Sequence, residues 1–362
     1  MAVPLGMPKP RSMDPVTERL DTAGRPETDA LLDRYDREAD DLRVSLTDFC
    51  NLRCTYCMPE MGMEFLKKSQ LMSVAEIVRL VRVAVERLGV RQVRFTGGEP
   101  LTRPDLAEII AGVAALEPRP NIALTTNAIG LDVRAQPLVD AGLDRINVSL
   151  DSVVTQTFER MTRRPLLHRV LAGLEGAKAA GLDPIKINAV LQPGVNDHEV
   201  ADLLQWCLDR DFQLRIIEYM PIDGGHAWDR GSMITAADVH RLLSERFVLS
   251  PVAAPRGSAP AELFEVRERA SGELLGTVGI IASVTQPFCE ACTRTRLTAE
   301  GRVRTCLFSH EETDLLGVLR AGGSDEDIAQ RWRAAHWGKQ QGHGMNRPDF
   351  VQPDRPMSAI GG

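Results

Sequence analysis

The chain has 362 residues, enough for one large domain and a smaller one, and its 43% hydrophobic and 26% charged content is that of an ordinary globular enzyme. Its formal net charge of -7 argues against a general nucleic-acid or membrane binder, which would carry a basic excess or a long apolar span. No basic-plus-apolar leader opens it and no apolar run is bilayer-long, so a cytoplasmic protein with no nucleic-acid and no membrane partner is expected.

Residues 1–40 are rich in Pro, Arg, Asp and Glu without a sustained apolar period, and read as a mobile extension in which Leu31 to Tyr35 forms a helical turn or two. From Leu42 a strand-then-helix pattern repeats six times. The strands are Leu42 to Leu46, Gln92 to Thr96, Asn121 to Thr125, Arg145 to Leu150, Pro184 to Val190 and Phe212 to Glu218. Helices are expected over Val74 to Leu88, Leu106 to Leu116, Gln136 to Ala141, Leu166 to Ala180 and Glu199 to Arg210, the first opened by the capping box Ser73-Val-Ala-Glu76. Such repetition predicts an α/β fold with a parallel sheet.

Four strands alternate polar with apolar residues: Arg43 and Ser45, Arg94 and Thr96, Asn147 and Ser149, Lys186 and Asn188 share a face. A parallel strand covered on both faces is usually apolar throughout, so this pattern favours a curled sheet whose polar side chains line a cavity. Three of the four sets include a cation, which needs an anionic partner if buried. Past Met220-Pro221 the repetition stops. A helix capped by Thr235, two short strands around 263–282, a helix near Asp325 to Trp337 and an extended tail ending in Gly361-Gly362 follow. The domains are therefore drawn as 1–40, 41–225, 226–345 and 346–362.

Six of the seven cysteines form two trios, Cys50/Cys54/Cys57 in a C-x3-C-x2-C run and Cys289/Cys292/Cys306, while Cys207 reads as a core helix residue. This grouping suits metal ligation better than disulfides. Spacing alone leaves a zinc site and an iron-sulfur cluster on equal terms, although a structural zinc normally closes its shell with four protein ligands. The first trio follows strand one, Gly97-Gly98-Glu99-Pro100 follows strand two, and Thr125, Ser149-Leu150-Asp151 and Glu218-Tyr219-Met220-Pro221 end later strands. These are the strand ends where ligand residues collect in parallel strand-helix folds. Gly97-Gly98 permits close backbone approach, and Glu99 can accept hydrogen bonds from an ammonium group.

C-x3-C-x2-C with Tyr56 before its third cysteine, followed by GGEP, resembles the radical S-adenosylmethionine superfamily. Within it, the Phe288-Cys289-Glu-Ala-Cys292-Thr-Arg294-Thr-Arg296 segment, Cys306, Lys-Ile-Asn, Glu-Tyr-Met-Pro and the terminal Gly-Gly are similar to the GTP 3′,8-cyclase family, from about Leu42 to the last residue. The resemblance implies a partial (β/α)6 TIM-like barrel with a smaller C-terminal α+β domain carrying a second cluster. It implies two [4Fe-4S] clusters, on Cys50, Cys54 and Cys57 and on Cys289, Cys292 and Cys306, with S-adenosylmethionine against Tyr56, Gly98, Glu99, Ser149 and Met220.

The same resemblance implies that Arg43, Arg94, Thr125, Lys186, Arg294, Thr295 and Arg296 hold GTP, and that Arg294, Arg296, Gly361 and Gly362 belong to the catalytic centre. The reaction it implies yields (8S)-3′,8-cyclo-7,8-dihydroguanosine 5′-triphosphate, the first step of molybdenum cofactor biosynthesis. An unidentified reductant protein, product hand-off to the next enzyme of that pathway and compatibility with a homodimer complete the expected partners. Ala128 stands where the family usually has glycine. Two readings compete: a radical S-adenosylmethionine enzyme with an auxiliary cluster that modifies a peptide, and a two-zinc scaffold.

Overall fold

The computed structural model describes residues 20–226 and 228–361. Six parallel strands form its centre: β1 (Asp41–Ser45), β2 (Gln92–Thr96), β3 (Asn121–Thr126), β4 (Arg145–Ser149), β5 (Lys186–Val190) and β6 (Gln213–Ile217). Each hydrogen-bonds to the next in chain order, as the repeat predicts. The helices lie between them: α1 (Val74–Leu88), α2 (Leu106–Ala114), α3 (Leu131–Asp140), α4 (Thr155–Thr162), α5 (Leu167–Ala179) and α6 (Val200–Leu208).

The expected capping box forms at α1, where Ser73 Oγ accepts from Glu76 N (3.3 Å) and Glu76 Oε2 accepts from Ser73 N (2.8 Å). Helix α4 was not legible, because its Thr155-Gln-Thr start combines β-branched residues with an uncapped Val154. Strand alternation sorts the faces as predicted. Leu42, Val44, Val93 and Phe95 are fully buried in the hydrophobic core, and Arg43 and Arg94 point to the opposite side.

The C-terminal residues do not form a separate sheet. After α7 (Ala236–Ser244) come β7 (Phe247–Pro251), β8 (Glu262–Glu268), β9 (Leu274–Ile281), β10 (Arg294–Leu297), β11 (Arg302–Arg304) and β12 (Thr313–Asp314). All twelve strands belong to one sheet, in the order β12-β11-β10-β1-β2-β3-β4-β5-β6-β9-β8-β7. Strand β10 pairs parallel to β1, with Asp41 opposite Arg294 and Arg43 opposite Arg296; β9 pairs parallel to β6 at the other side. The smaller C-terminal part thus extends both flanks of the six-strand core. Its helices are α8 (Leu316–Arg320), α9 (Asp325–Trp337) and α10 (Met357–Ile360).

Of the extension expected to be mobile, residues 1–19 lie outside the described residues, and residues 20–40 are docked. Leu31 is fully buried, and Trp337 Nε1 donates to the Ala23 carbonyl at 3.1 Å. The helical turn expected at Leu31 to Tyr35 is instead a bridged turn, Leu32 opposite Glu38, with Asp36 at φ 59. Asp33 explains the difference: its carboxylate accepts from the backbone N–H groups of Tyr35 (2.8 Å) and Arg37 (3.1 Å), a side-chain substitute for helical bonding. Among the described residues no helix is long and apolar enough to cross a membrane.

Candidate active site

The first trio sits on the loop leaving β1, and backbone bonds fix that loop on two sides. Gly98 N donates to Thr47 O (2.6 Å) and Glu99 N to Phe49 O (2.7 Å); Arg53 N and Thr55 N donate to Thr162 O (3.0 Å) and Met161 O (2.9 Å) at the end of α4. A Cβ on Gly98 would lie 2.2 Å from Phe49 O, and one on Gly97, whose φ is +141°, 2.3 Å from Thr47 O. Both positions therefore require glycine, which the GG of GGEP supplies. Arg163, in the left-handed region at φ 55, reaches back with Nη1 to the carbonyls of Arg53 (3.0 Å) and Met58 (3.1 Å).

Glu99 does not face the cavity. Its Oε1 accepts from Leu101 N (2.9 Å) and Thr126 Oγ1 (2.7 Å), and its Oε2 from Asn127 N (2.7 Å), so the carboxylate is consumed inside the chain. Burial pushes it up to about 7 against these donors. Glu99 ties the end of β3 to the first cysteine loop, and Asn127 continues the tie by donating Nδ2 to Asn51 Oδ1 at 2.6 Å.

Burial raises the thiols of this trio: Cys50 to about 12, with the Glu99 carboxylate adding to the effect, Cys57 to about 11, and Cys54 upward as well. Ligation must therefore displace protons. Among the described residues no group of three or more His, Cys, Asp or Glu converges closely enough to hold a single metal ion. Three thiols on one loop offer the donor chemistry of an iron-sulfur cluster, where each sulfur binds a different iron.

The large cavity opens beside this loop and runs down the polar face of the sheet. Arg43, Tyr56, Arg94, Thr125, Ser149, Met220, Arg294 and Arg296 line it, and so do Cys289, Cys292 and Cys306. Most of the expected residues thus come together. Tyr56 donates its hydroxyl to Asp151 Oδ2 at 2.8 Å, and Asp151, itself a lining residue, is pushed up to about 6 by burial. Lys186 stands among the same cations, and Thr295 does not. Its side chain, turned outward by strand alternation, is fully buried and its Oγ1 accepts from Trp332 Nε1 at 3.2 Å.

Buried nitrogens of Arg43, Arg94, Arg145, Arg215 and Arg294 have no hydrogen-bond partner. The only acid paired with any of them is Asp41, 3.7 Å from Arg294 Nε, among the described residues. Burial first, then mutual repulsion, lowers Arg94 to about 9, Lys186 to about 8, Arg215 to about 10 and Arg296 to about 9. A cavity with this excess of cations over the carboxylates that line it suits a multiply charged anion. Arg215 was missed in the sequence because β6 reads as an apolar run, Leu214-Arg215-Ile216-Ile217. Its position opposite Asn188 in the next strand was the available signal.

The tail enters this space. Gly361 O accepts from Arg296 Nη1, and a Cβ on Gly361 would meet Ser45 Oγ at 2.5 Å and Thr96 Cγ2 at 2.8 Å. A backbone N–H at Ser358 points at the Cys57 sulfur and lowers that thiol against its burial. Gly362 lies outside the described residues.

Residues 44–207 match the Radical SAM superfamily model and residues 212–345 the Molybdenum Cofactor Synthesis C model. A protein named GTP 3′,8-cyclase from Paenarthrobacter nicotinovorans is 57% identical over 343 residues, covering 92% of this chain and 97% of that one. GTP 3′,8-cyclase of Mycolicibacterium smegmatis is 58% identical over 332 residues, 92% of each chain, and GTP 3′,8-cyclase 2 of Mycobacterium bovis 55% identical over 358 residues, 99% of each. Among solved structures, Streptococcus suis SuiB bound to S-adenosylmethionine superposes with a TM-score of 0.58 at 15% identity, covering 88% of this chain and 76% of that one, a likeness of fold alone. On the extent and identity of these matches, the chain belongs to the GTP 3′,8-cyclase family of the radical S-adenosylmethionine superfamily.

Proposed function

We propose that the chain converts GTP to (8S)-3′,8-cyclo-7,8-dihydroguanosine 5′-triphosphate, the opening step of molybdenum cofactor formation. The observation that carries this reading is the set of cations with unpartnered buried nitrogens, Arg43, Arg94 and Arg215, in the cavity that Tyr56 of the first cysteine loop and the second trio also line. A nucleoside triphosphate supplies several negative charges along one flexible group, and arginine forks match phosphate oxygens. A peptide substrate, the competing reading, carries no triphosphate, and these relatives at 55–58% identity carry the cyclase name.

Membership of the superfamily brings a [4Fe-4S] cluster and S-adenosylmethionine, which when bound supply the 5′-deoxyadenosyl radical that removes hydrogen from the substrate ribose. Cys50, Cys54 and Cys57 would hold that cluster. Cys289, Cys292 and Cys306, again a set of three, hold a second cluster at the opposite wall. Tyr56, Gly98, Ser149 and Met220 bound the S-adenosylmethionine space, with Glu99 acting through the loop it braces. Arg43, Arg94, Thr125, Lys186 and Arg215 take the triphosphate and ribose, and Arg294 and Arg296 orient the purine beside the second trio.

The tail narrows the same space: Gly361 reaches between Ser45 and Thr96 to Arg296, and Gly362 belongs to the same reading. Enclosure keeps water from a carbon radical, and the cations hold the reacting atoms in register. The electron comes from a reductant protein, the product passes to the next enzyme of the pathway, and the setting is the reducing cytoplasm. Every assigned ligand comes from one chain, so a homodimer adds none.

The test is an anaerobic incubation with S-adenosylmethionine and a strong reductant. GTP should yield the cyclised nucleotide with 5′-deoxyadenosine, and omission of GTP should largely remove the substrate-dependent 5′-deoxyadenosine. Formation driven by a peptide and indifferent to GTP, or a colourless protein loaded with zinc, overturns the reading.

A further inference from the structure

Two buried cations behind the second trio have no part in the proposed reaction, and they differ in one respect. Arg37, from the docked N-terminal segment, donates Nη1 to the carbonyls of Cys289 and Gln341 and Nη2 to that of Gln340, each at 2.7 Å. Its charge is matched by Asp33, 2.6 Å from Nε. Lys339, just past α9, is 3% exposed and has no carboxylate at ion-pair distance among the described residues. Its Nζ donates to the carbonyls of Cys292 (3.2 Å) and Arg294 (2.8 Å) and lies 3.5 Å from Cys292 Sγ.

A buried ammonium without an anionic partner is costly, and neutral carbonyls do not cancel its charge. The one sulfur within reach becomes anionic when it ligates iron. Arg294 Nη1 is farther from the same sulfur, at 4.0 Å, and its Nη2 is taken by the Ser258 carbonyl at 2.8 Å, so Lys339 is the nearer donor.

We propose that Lys339 is a positioning residue for the second trio: it donates an N–H···S hydrogen bond to the Cys292 thiolate, and its two carbonyl bonds set the Cys292-Thr293-Arg294 turn that aims Arg294 at the substrate. The inference rests on the reading that Cys289, Cys292 and Cys306 hold a cluster. A fixed positive charge against a ligand sulfur stabilises the more negative, reduced cluster, so Lys339 raises its reduction potential.

The experiment is a redox titration followed by electron paramagnetic resonance on the full chain, with Cys50, Cys54 and Cys57 replaced by Ala so that only the second cluster reports. Lys339→Met should move the potential to more negative values and speed iron loss in air, and Lys339→Arg should restore both toward the parent. Arg37→Gln loosens the same loop without touching a sulfur, and should leave the potential in place. Should the Met variant not fold, Lys339→Gln keeps donors for the carbonyls without the charge and carries the same expectation. An unchanged potential in the Met or Gln variant, or an equal shift in Arg37→Gln, overturns the proposal. Failure of the underlying reading looks different: the parent with three Ala substitutions would hold no iron and show no cluster signal.

Discussion

The two cysteine trios have the same number of thiols and opposite construction. The first is built by backbone: Gly97 and Gly98 let strand ends touch, and paired N–H and C=O groups lock the loop from both sides. The second is built by side chains from far along the sequence, Arg37 from the N-terminal segment and Lys339 from beyond α9. Their electrostatics diverge accordingly. Burial drives the first thiols up, to about 12 at Cys50 and about 11 at Cys57. Burial acts in the same direction on Cys292, but Lys339 and Arg294 outweigh it and leave that thiol below its ordinary value. Burial disfavours the free thiolate throughout the first trio and at Cys289, whereas the cations beside Cys292 favour it there before any metal arrives.

The largest effect that would break this contrast comes from removing one ligand on each side. Cys54→Ala should abolish 5′-deoxyadenosine formation under all conditions, whereas Cys292→Ala should abolish the cyclised nucleotide while the first trio still takes up iron. Anaerobic product analysis with iron determination decides it, and identical behaviour of the two variants removes the division of labour.

Next in size is thiol reactivity of the metal-free protein. Cys292 is held below its ordinary value and Cys50 is pushed up to about 12, so at pH 8 Cys292 carries the larger thiolate fraction and mass-spectrometric alkylation should label it faster. Raising the pH should narrow the gap, because Cys50 ionises only as the pH approaches 12.

A several-fold effect is expected at Lys186, lowered to about 8 by burial and by Arg215, Arg145 and Arg94. Its positive charge is present below that pH and lost above it. KM for GTP should therefore rise between about pH 7.5 and pH 9, and Lys186→Arg should flatten the rise.

The smallest effect is at Ala128, which occupies the left-handed region at φ 65 and is fully buried. Glycine there would relieve about 1 kcal/mol of backbone cost. It would also give up a buried methyl worth about 0.8 kcal/mol. Ala128→Gly should thus change the unfolding free energy by less than about 1 kcal/mol and leave turnover intact, which explains how the family's usual glycine can be absent.

Local sequence determined much of this protein. Alternation along Leu42–Leu46 and Gln92–Thr96 fixed which side chains face the cavity, because a strand has a period of two whatever surrounds it. Caps at Ser73, Thr235 and Ser324 fixed helix starts, because the bonds they make lie within three residues. The trios stood out as candidate ligand sets because six of the seven cysteines fall into two groups.

What only the tertiary structure decided involves partners far apart in the chain. Glu99 looked like a ligand to an ammonium group until Thr126 and Asn127 took both of its oxygens. Thr295 shares a motif with two arginines, but Trp332 receives it on the other face. Arg215 hid in an apolar strand, Lys339 in the polar stretch after α9, and residues 20–40 read as loose until Arg37 met Cys289 and Trp337 met Ala23. Neither the neutralisation of a charge nor the filling of a hydrogen bond is a property of one segment. Both depend on which distant groups the sheet, extended on both flanks by C-terminal strands, brings within 3 Å or so of each other.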